Sequence, residues 1–243
     1  MTSILRPDLG RALRSVFAQD LPGRIQILVG IDKPLGDRAV IAEACRGRPP
    51  NVAVFVLDLG YSTSARHGSV HAATDGGSLR TVLSFLANSR HIAYLDDDNW
   101  WAPDHLSSLL TAIKGHHYAF GLRWFVDDAT LTLQCVDEWY SLGPDRGVHA
   151  PTAGGFIDPN VLMIDKLECL PVLYLWSQNP IHPARFSYAD RLVFHALRDN
   201  FRGNGTGRAT AYYTLRPDDG AWVRINQWKR SRGLVPGEAR ANA

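Results

Sequence analysis

The chain has 243 residues, enough for one large domain or two small ones. Hydrophobic residues make up 45% and charged residues 21%, the balance of a chain that buries a core, which excludes an intrinsically disordered one. The formal charge of +2 excludes the strongly basic footprint of a nucleic-acid binder.

In chain order, Pro7-Asp8 opens a helix whose apolar positions Leu9, Leu13, Val16 and Phe17 recur at helical spacing. Pro22-Gly23 is a turn, and Ile25 to Ile31 reads as a strand that ends at Asp32. A loop at residues 33–37 leads to a helix over residues 37–45 and then to a Val-rich strand over residues 51–57. A polar Gly- and Ser-rich stretch runs on to Ser78. Leu79, Val82, Leu83 and Leu86 mark the next helix, and His91 to Leu95 the third strand. Three consecutive aspartates, Asp96, Asp97 and Asp98, follow that strand, then Trp100-Trp101 and a helix marked by Leu106, Leu109, Leu110 and Ile113.

This alternation of helix and strand predicts a mostly parallel sheet covered by helices, an α/β architecture of the Rossmann type. Such sheets bind ligands outside the carboxyl ends of their strands, where Asp32 and the aspartate triplet both fall. Adjacent carboxylates repel one another, and a hard divalent cation bridging them to a diphosphate relieves the repulsion. The triplet therefore reads as a site for Mg²⁺ or Mn²⁺ and a diphosphate.

The second half is less regular. Residues 118–125 and 130–136 read as strands joined at Asp127-Asp128-Ala129, residues 143–147 as a loop, and residues 160–165 as a short strand. Tyr188 to Asn200 reads as a helix, residues 201–207 as a Gly-rich turn, and residues 209–215 as a last strand. His195 falls on a different face of that helix from Asp190 and reads as structural. Lys229, Arg230, Arg232 and Arg240 make residues 229–243 a basic tail, either solvated or in contact with an acidic lipid surface or partner.

One domain over residues 1–228 is expected, with a nucleotide-binding half at about 1–115 and an acceptor half at about 116–228. Cys45, Cys135 and Cys169 are widely spaced and form no zinc pattern, which suits free thiols in a reducing, cytoplasmic compartment. There is no long apolar run that would span a membrane and no leader-like start.

The segment Tyr94-Leu95-Asp96-Asp97-Asp98-Asn99-Trp100-Trp101-Ala102-Pro103-Asp104, with the helix at residues 13–19 and the strand ending at Asp32, resembles family 2 glycosyltransferases, inverting enzymes of the GT-A fold. The resemblance covers residues 5 to 220. It implies transfer of a sugar from a nucleoside-diphosphate sugar (UDP- or GDP-sugar) to a hydroxyl of a glycan, lipid or small molecule, assisted by Mn²⁺ or Mg²⁺. It places Asp32, Arg80, Asp96 and Asp97 against the nucleotide, Arg80 within the segment Asp75-Gly76-Gly77-Ser78-Leu79-Arg80. It places Asp96 and Asp98 on the metal. Asp190, in Tyr188-Ala189-Asp190-Arg191, matches the catalytic base, although Ala189 stands where the family has Glu.

The family's opening strand is missing or severely shortened here, which leaves a degenerate, non-catalytic binder of nucleotide, sugar or a partner as an alternative. A sugar nucleotidyltransferase shares the sheet, but residues 1–30 lack its Gly-rich basic loop. Trp100 and Trp101 are either core anchors or sugar-stacking faces. Gly154-Gly155 is either a plain turn or an acceptor loop where substrate approaches the backbone.

Overall fold

The computed structural model describes residues 1–71, 76–178 and 189–234. In chain order its elements are β1 (Thr2–Ser3), α1 (Leu9–Phe17), β2 (Ile25–Ile31), α2 (Ala39–Cys45), β3 (Val52–Asp58), α3 (Gly77–Leu86), β4 (His91–Ala93), β5 (Trp100–Trp101) and α4 (His105–Ala112). There follow β6 (Tyr118–Asp127), β7 (Leu133–Val136), β8 (Gly143–Pro144), α5 (Ala150–Ala153), β9 (Gly155–Phe156), β10 (Leu162–Asp165), α6 (Ala189–Asn200), β11 (Gly203–Leu215) and α7 (Ala221–Ser231).

β1, β2 and β3 form a parallel sheet in that order. Parallel neighbours need a crossover, and α1 and α2 supply the two. α1 buries Leu9, Ala12, Leu13 and Val16, one stripe at helical spacing, against the odd-numbered side chains Ile27, Val29 and Ile31 of β2. Residues two apart in a strand share a face, so Gly30 looks the other way. There α3 packs so close that a Cβ on Gly30 would sit 3.0 Å from Leu83.

The opening strand is short but present. Thr2 pairs with Gly30 and Ser3 with Ile31, at the carboxyl end of β2.

The remaining strands form a mixed sheet in the order β4-β10-β6-β11-β5, with β7 paired to β6. The parallel alternation therefore stops after β3. β4, expected to continue it, lies antiparallel to β10, a strand contributed by the second half. Within this sheet β6 and β11 run parallel, and the other pairings are antiparallel. One hydrophobic core runs from Leu9 and Leu13 through Trp101 and Ile164 to Leu197, and a smaller cluster sits under α7.

Two expectations in the second half change. The Gly-rich turn at residues 201–207 is the start of β11. Gly203 and Gly205 lie under aromatic rings: a Cβ on Gly203 would fall 2.1 Å from the ring of Tyr118, its partner across the sheet. The basic tail is also shorter than expected. Lys229 and Arg230 belong to α7, which buries Ala221, Ile225 and Trp228 on one stripe. Lys229 is fully buried and donates to Gln134 Oε1 at 2.6 Å. Arg232 lies over the ring of Trp228 and near Glu138. Arg240 lies outside the described residues. Among the described residues no helix is long and apolar enough to cross a membrane, and the three cysteines are free thiols.

Candidate active site

A cleft of about 870 Å³ opens where the carboxyl ends of β1 and β2 meet the loop after β4, the start of α6 and the end of β11. Asp32, Arg80, Asp96, Asp97, Asp98 and Asp190 all line it. Residues far apart in sequence thus converge on one wall-to-wall site.

Asp32 follows β2 and is buried. Its carboxylate accepts from the backbone N–H of Thr63 at 3.1 Å and from the hydroxyl of Ser62 at 3.1 Å, with His67 Nδ1 at 3.3 Å. It therefore pins the loop after β3 onto the end of β2. That loop brings Arg66 and His67 to the cleft wall.

Arg80 sits in the first turn of α3. The helix begins after Gly76, whose φ of +71° suits glycine and whose missing Cβ leaves room for Thr2; a methyl there would approach Thr2 to 2.8 Å. The N-terminus of α3 thereby abuts β1 and faces the cleft, a geometry that favours anions. The guanidinium of Arg80 donates to Asp96 Oδ1 at 2.6 Å and lies 4.8 Å over the ring of Trp176.

The three aspartates turn in different directions. Asp96 receives Arg80 on one oxygen and the side-chain amide of Asn160 on the other at 2.8 Å. Asp97 turns inward. Its buried carboxylate accepts from Ser3 Oγ at 2.6 Å and from Arg6 at 2.5 Å. Expected against the nucleotide, Asp97 lines the cleft but is 2% exposed, and its carboxylate ties β1 and Arg6 to the cleft floor. Asp98 faces the opening, with Arg6 and Arg216 each at 3.2 Å. Burial, with Asp96 beside it, pushes its carboxyl up to about 6 despite those arginines.

Asp190 lies in the first turn of α6 and accepts from the N–H of Arg191 at 2.7 Å. Burial pushes its carboxyl up to about 6; Arg191 opposes the shift and Asp158 adds to it. An acid with that value is about half ionised near pH 6 and a competent proton acceptor at neutral pH. Tyr188, the neighbour in the sequence motif, and Asp75, which opens the Arg80 segment, lie outside the described residues.

Four residues with a substrate-facing option do not line this cleft. Trp101 is buried in the core, stacks on His105 and donates to the carbonyl of Asn160 at 2.8 Å. Trp100 is sandwiched between Tyr212 and the guanidinium of Arg11. Both are packing anchors, because β5 pairs with β11 and so turns them into the sheet's own layers. Gly154 ends α5 in the left-handed region, against Arg198, and Gly155 sits in the β8–β9 pair, where a Cβ would strike the carbonyl of Gly143. Gly154 thus answers to its left-handed backbone and the Arg198 side chain, and Gly155 to backbone crowding.

The sequence reading passed over Arg6, Asp158, Asn160, Trp176 and Arg216, which line the cleft or hold its acids. Asp158-Pro159-Asn160 carries a visible signal, a turn-forming triplet with two polar side chains free to bond nearby backbone.

Among the described residues no group of three His, Cys, Asp or Glu is placed to hold a metal ion. Asp96 and Asp98 together offer hard carboxylate oxygens on the cleft side. That donor set fits an ion of the Mg²⁺ or Mn²⁺ type, which commonly takes one or two carboxylates and completes its shell with substrate phosphates and water. Burial and the neighbouring Asp96 both disfavour the ionised form of Asp98, and a cation beside it would oppose both effects.

Residues 6–144 match the profile described as Glycosyl transferase family 2, more than half of the chain. Asp190 lies beyond the matched segment. No curated protein sequence matches the chain. Among solved structures, S. aureus TarS 1-349 in complex with UDP-GlcNAc is similar at a TM-score of 0.56 and 17% identity, over 87% of this chain and 56% of that one. The mannosyltransferase PcManGT from Pyrobaculum calidifontis, in complex with GDP-Man and Mn²⁺, is similar at 0.58 and 11% identity, over 98% of this chain and 64% of that one. At these identities the likeness establishes the fold, which is GT-A. The chain spans less than two thirds of the length of either.

Proposed function

Because the chain belongs to glycosyl transferase family 2, we propose that it transfers a sugar from a nucleoside-diphosphate sugar to a hydroxyl acceptor, with inversion and with help from a divalent cation. The observation that carries this reading is the convergence of Asp32, Arg80, Asp96, Asp98 and Asp190 on one cleft. The neighbouring structures contain UDP-GlcNAc and GDP-Man, the latter with Mn²⁺, which supports the same donor class here.

In this reading the base and ribose lie toward Asp32 and its loop, and the diphosphate lies between the N-terminus of α3 and Asp98. Bound at Asp96 and Asp98, the cation supplies Lewis-acid neutralisation of the leaving diphosphate. Arg6 and Arg216, now on Asp98, and Arg80, now on Asp96, are donors of the right geometry for phosphate oxygens. Asp190, which lines the same cleft, takes the proton from the acceptor hydroxyl as it attacks the anomeric carbon. A base so placed contributes about 10²–10⁴-fold in rate. One displacement from the face opposite the leaving group inverts the anomeric centre.

Hydrolysis and transfer assays over UDP- and GDP-sugars with Mn²⁺ or Mg²⁺ test this. Asp98→Ala and Asp190→Ala are expected to abolish turnover while both proteins stay folded. Full activity in both folded variants removes the assignment.

A further inference from the structure

We infer that Asn160 is a positioning residue for the donor site, whose side-chain amide locks Asp96 and Asp158 into one arrangement and so determines how Asp96 meets the diphosphate and its cation. The inference rests on the donor-site reading of the cleft. Asn160 is only 1% exposed, so water cannot replace its partners. Its Nδ2 donates to Asp96 Oδ2 and to Asp158 Oδ1, each at 2.8 Å. Its Oδ1 accepts from the backbone N–H of Asp96 at 2.7 Å. Its own N–H donates to Asp158 Oδ1 at 2.9 Å, and its carbonyl accepts from Trp101 Nε1. Both amide hydrogens are used, and the main chain and side chain of Asp96 are gripped by one residue.

The far end of the grip is anchored. Asp158 is ion-paired to Nη1 of Arg123, and Arg123 Nε donates to Asp137 at 2.9 Å. Burial alone would lower the proton affinity of Arg123, and Asp158 and Asp137 more than reverse this, so the guanidinium stays charged inside the protein. Asp137 in turn accepts the N–H groups of Trp139, Tyr140 and Ser141. A satisfied buried network of this kind is stiff, because each member is costly to leave unpaired.

Asp96 thus loses the freedom to rotate. A neutral amide suits this task. It orients the carboxylate without competing with a cation as a second positive charge would.

Calorimetry on the intact protein with UDP and with GDP, each with and without Mn²⁺, tests this on the parent, Asn160→Ala and Asn160→Leu. The expected result is that Mn²⁺ tightens nucleotide binding to the parent and that both variants lose about tenfold of that gain, equivalent to about 1.4 kcal/mol. Their metal-free affinity is expected to stay unchanged. Variants equal to the parent in both conditions overturn the inference, as do equal losses with and without Mn²⁺, the mark of a merely structural role. A parent that binds nucleotide but ignores Mn²⁺ overturns the inference and leaves the nucleotide site standing. A parent that binds neither nucleotide overturns the donor-site reading and this inference with it. If both variants fail to fold, the side-chain amide resonances of Asn160 in the parent decide. A shift that requires nucleotide and Mg²⁺ together supports the inference, and any other response overturns it.

Discussion

Asp190, the proposed base, carries a cost to the fold. Burial holds its carboxyl near 6, above the ordinary value of 3.8, with Arg191 and Arg80 opposing and Asp158 reinforcing. The folded protein therefore binds this proton more tightly than the unfolded chain does. Its contribution to stability is fully present below about pH 4 and is lost as pH rises through about 6. Asp190→Asn removes that cost. The variant is expected to be inactive yet more stable than the parent by about 1–2 kcal/mol at pH 7, allowing for partial exposure, with the gain vanishing at pH 4. Thermal melts at the two pH values check this, and an equal or lower midpoint for the variant at pH 7 contradicts it. For the same reason the transfer rate of the parent should rise with pH through about 6, since the base must be ionised to accept a proton. A rate flat from pH 5 to 8 would remove Asp190 from that role. Asp32 and the Asp96–Asp98 triplet are legible in the sequence, because carboxylates after apolar strands violate the ordinary rule for what is buried, whereas Asp190 is named by the family resemblance alone. The partners of these acids are not legible there. Nothing local ties residue 6 to residue 97, or residue 160 to residue 96, and only the folded chain brings them together.

At the scale of elements, periodicity located most helices and strands, and β2 was read with the bounds it has in the structure. It failed where tertiary packing overrides local preference. β11 opens with three glycines in five residues, a pattern that reads as a turn. In the sheet Gly203 makes room for Tyr118 and Gly205 for Phe120, while Gly207 takes a left-handed φ of +69°. Gly203→Ala should therefore destabilise the protein by about 1–3 kcal/mol, the usual cost of overpacking. Gly47→Ala, at a position with open space around its Cβ, should be neutral or slightly stabilising. Denaturant titration of the two variants checks the contrast, and equal midpoints would contradict the packing account. α7 went unread because its polar residues mask a narrow stripe of Ala221, Ile225 and Trp228. Lys229, exposed by any composition rule, fills a buried slot by reaching Gln134.

At the scale of the whole molecule, the cleft draws residues from both halves of the chain. Arg6, Asp32 and Arg80 come from the first, and Asp158, Asp190 and Arg216 from the second. A ligand that bridges them should stabilise the protein as a unit. UDP or GDP with Mn²⁺ at about 100 times its dissociation constant is expected to add about 2.7 kcal/mol of stability. The increment should shrink when Asp98 is replaced by Ala. A melting point indifferent to both nucleotides would contradict a shared site. The fold class was readable because parallel strands and their crossovers leave a strong alternation. The mixed second sheet was not, because β4, β10 and β6 pair across long stretches of sequence.

The most direct test of the account is a crystal structure of the protein grown with Mn²⁺ and UDP or GDP, with manganese located by its anomalous scattering. The account predicts one strong peak between the carboxylates of Asp96 and Asp98 and the diphosphate, with the nucleoside lying toward Asp32. Nucleotide seated elsewhere, or a cleft in which Asp98 remains clasped by Arg6 and Arg216 with no metal beside it, would contradict it.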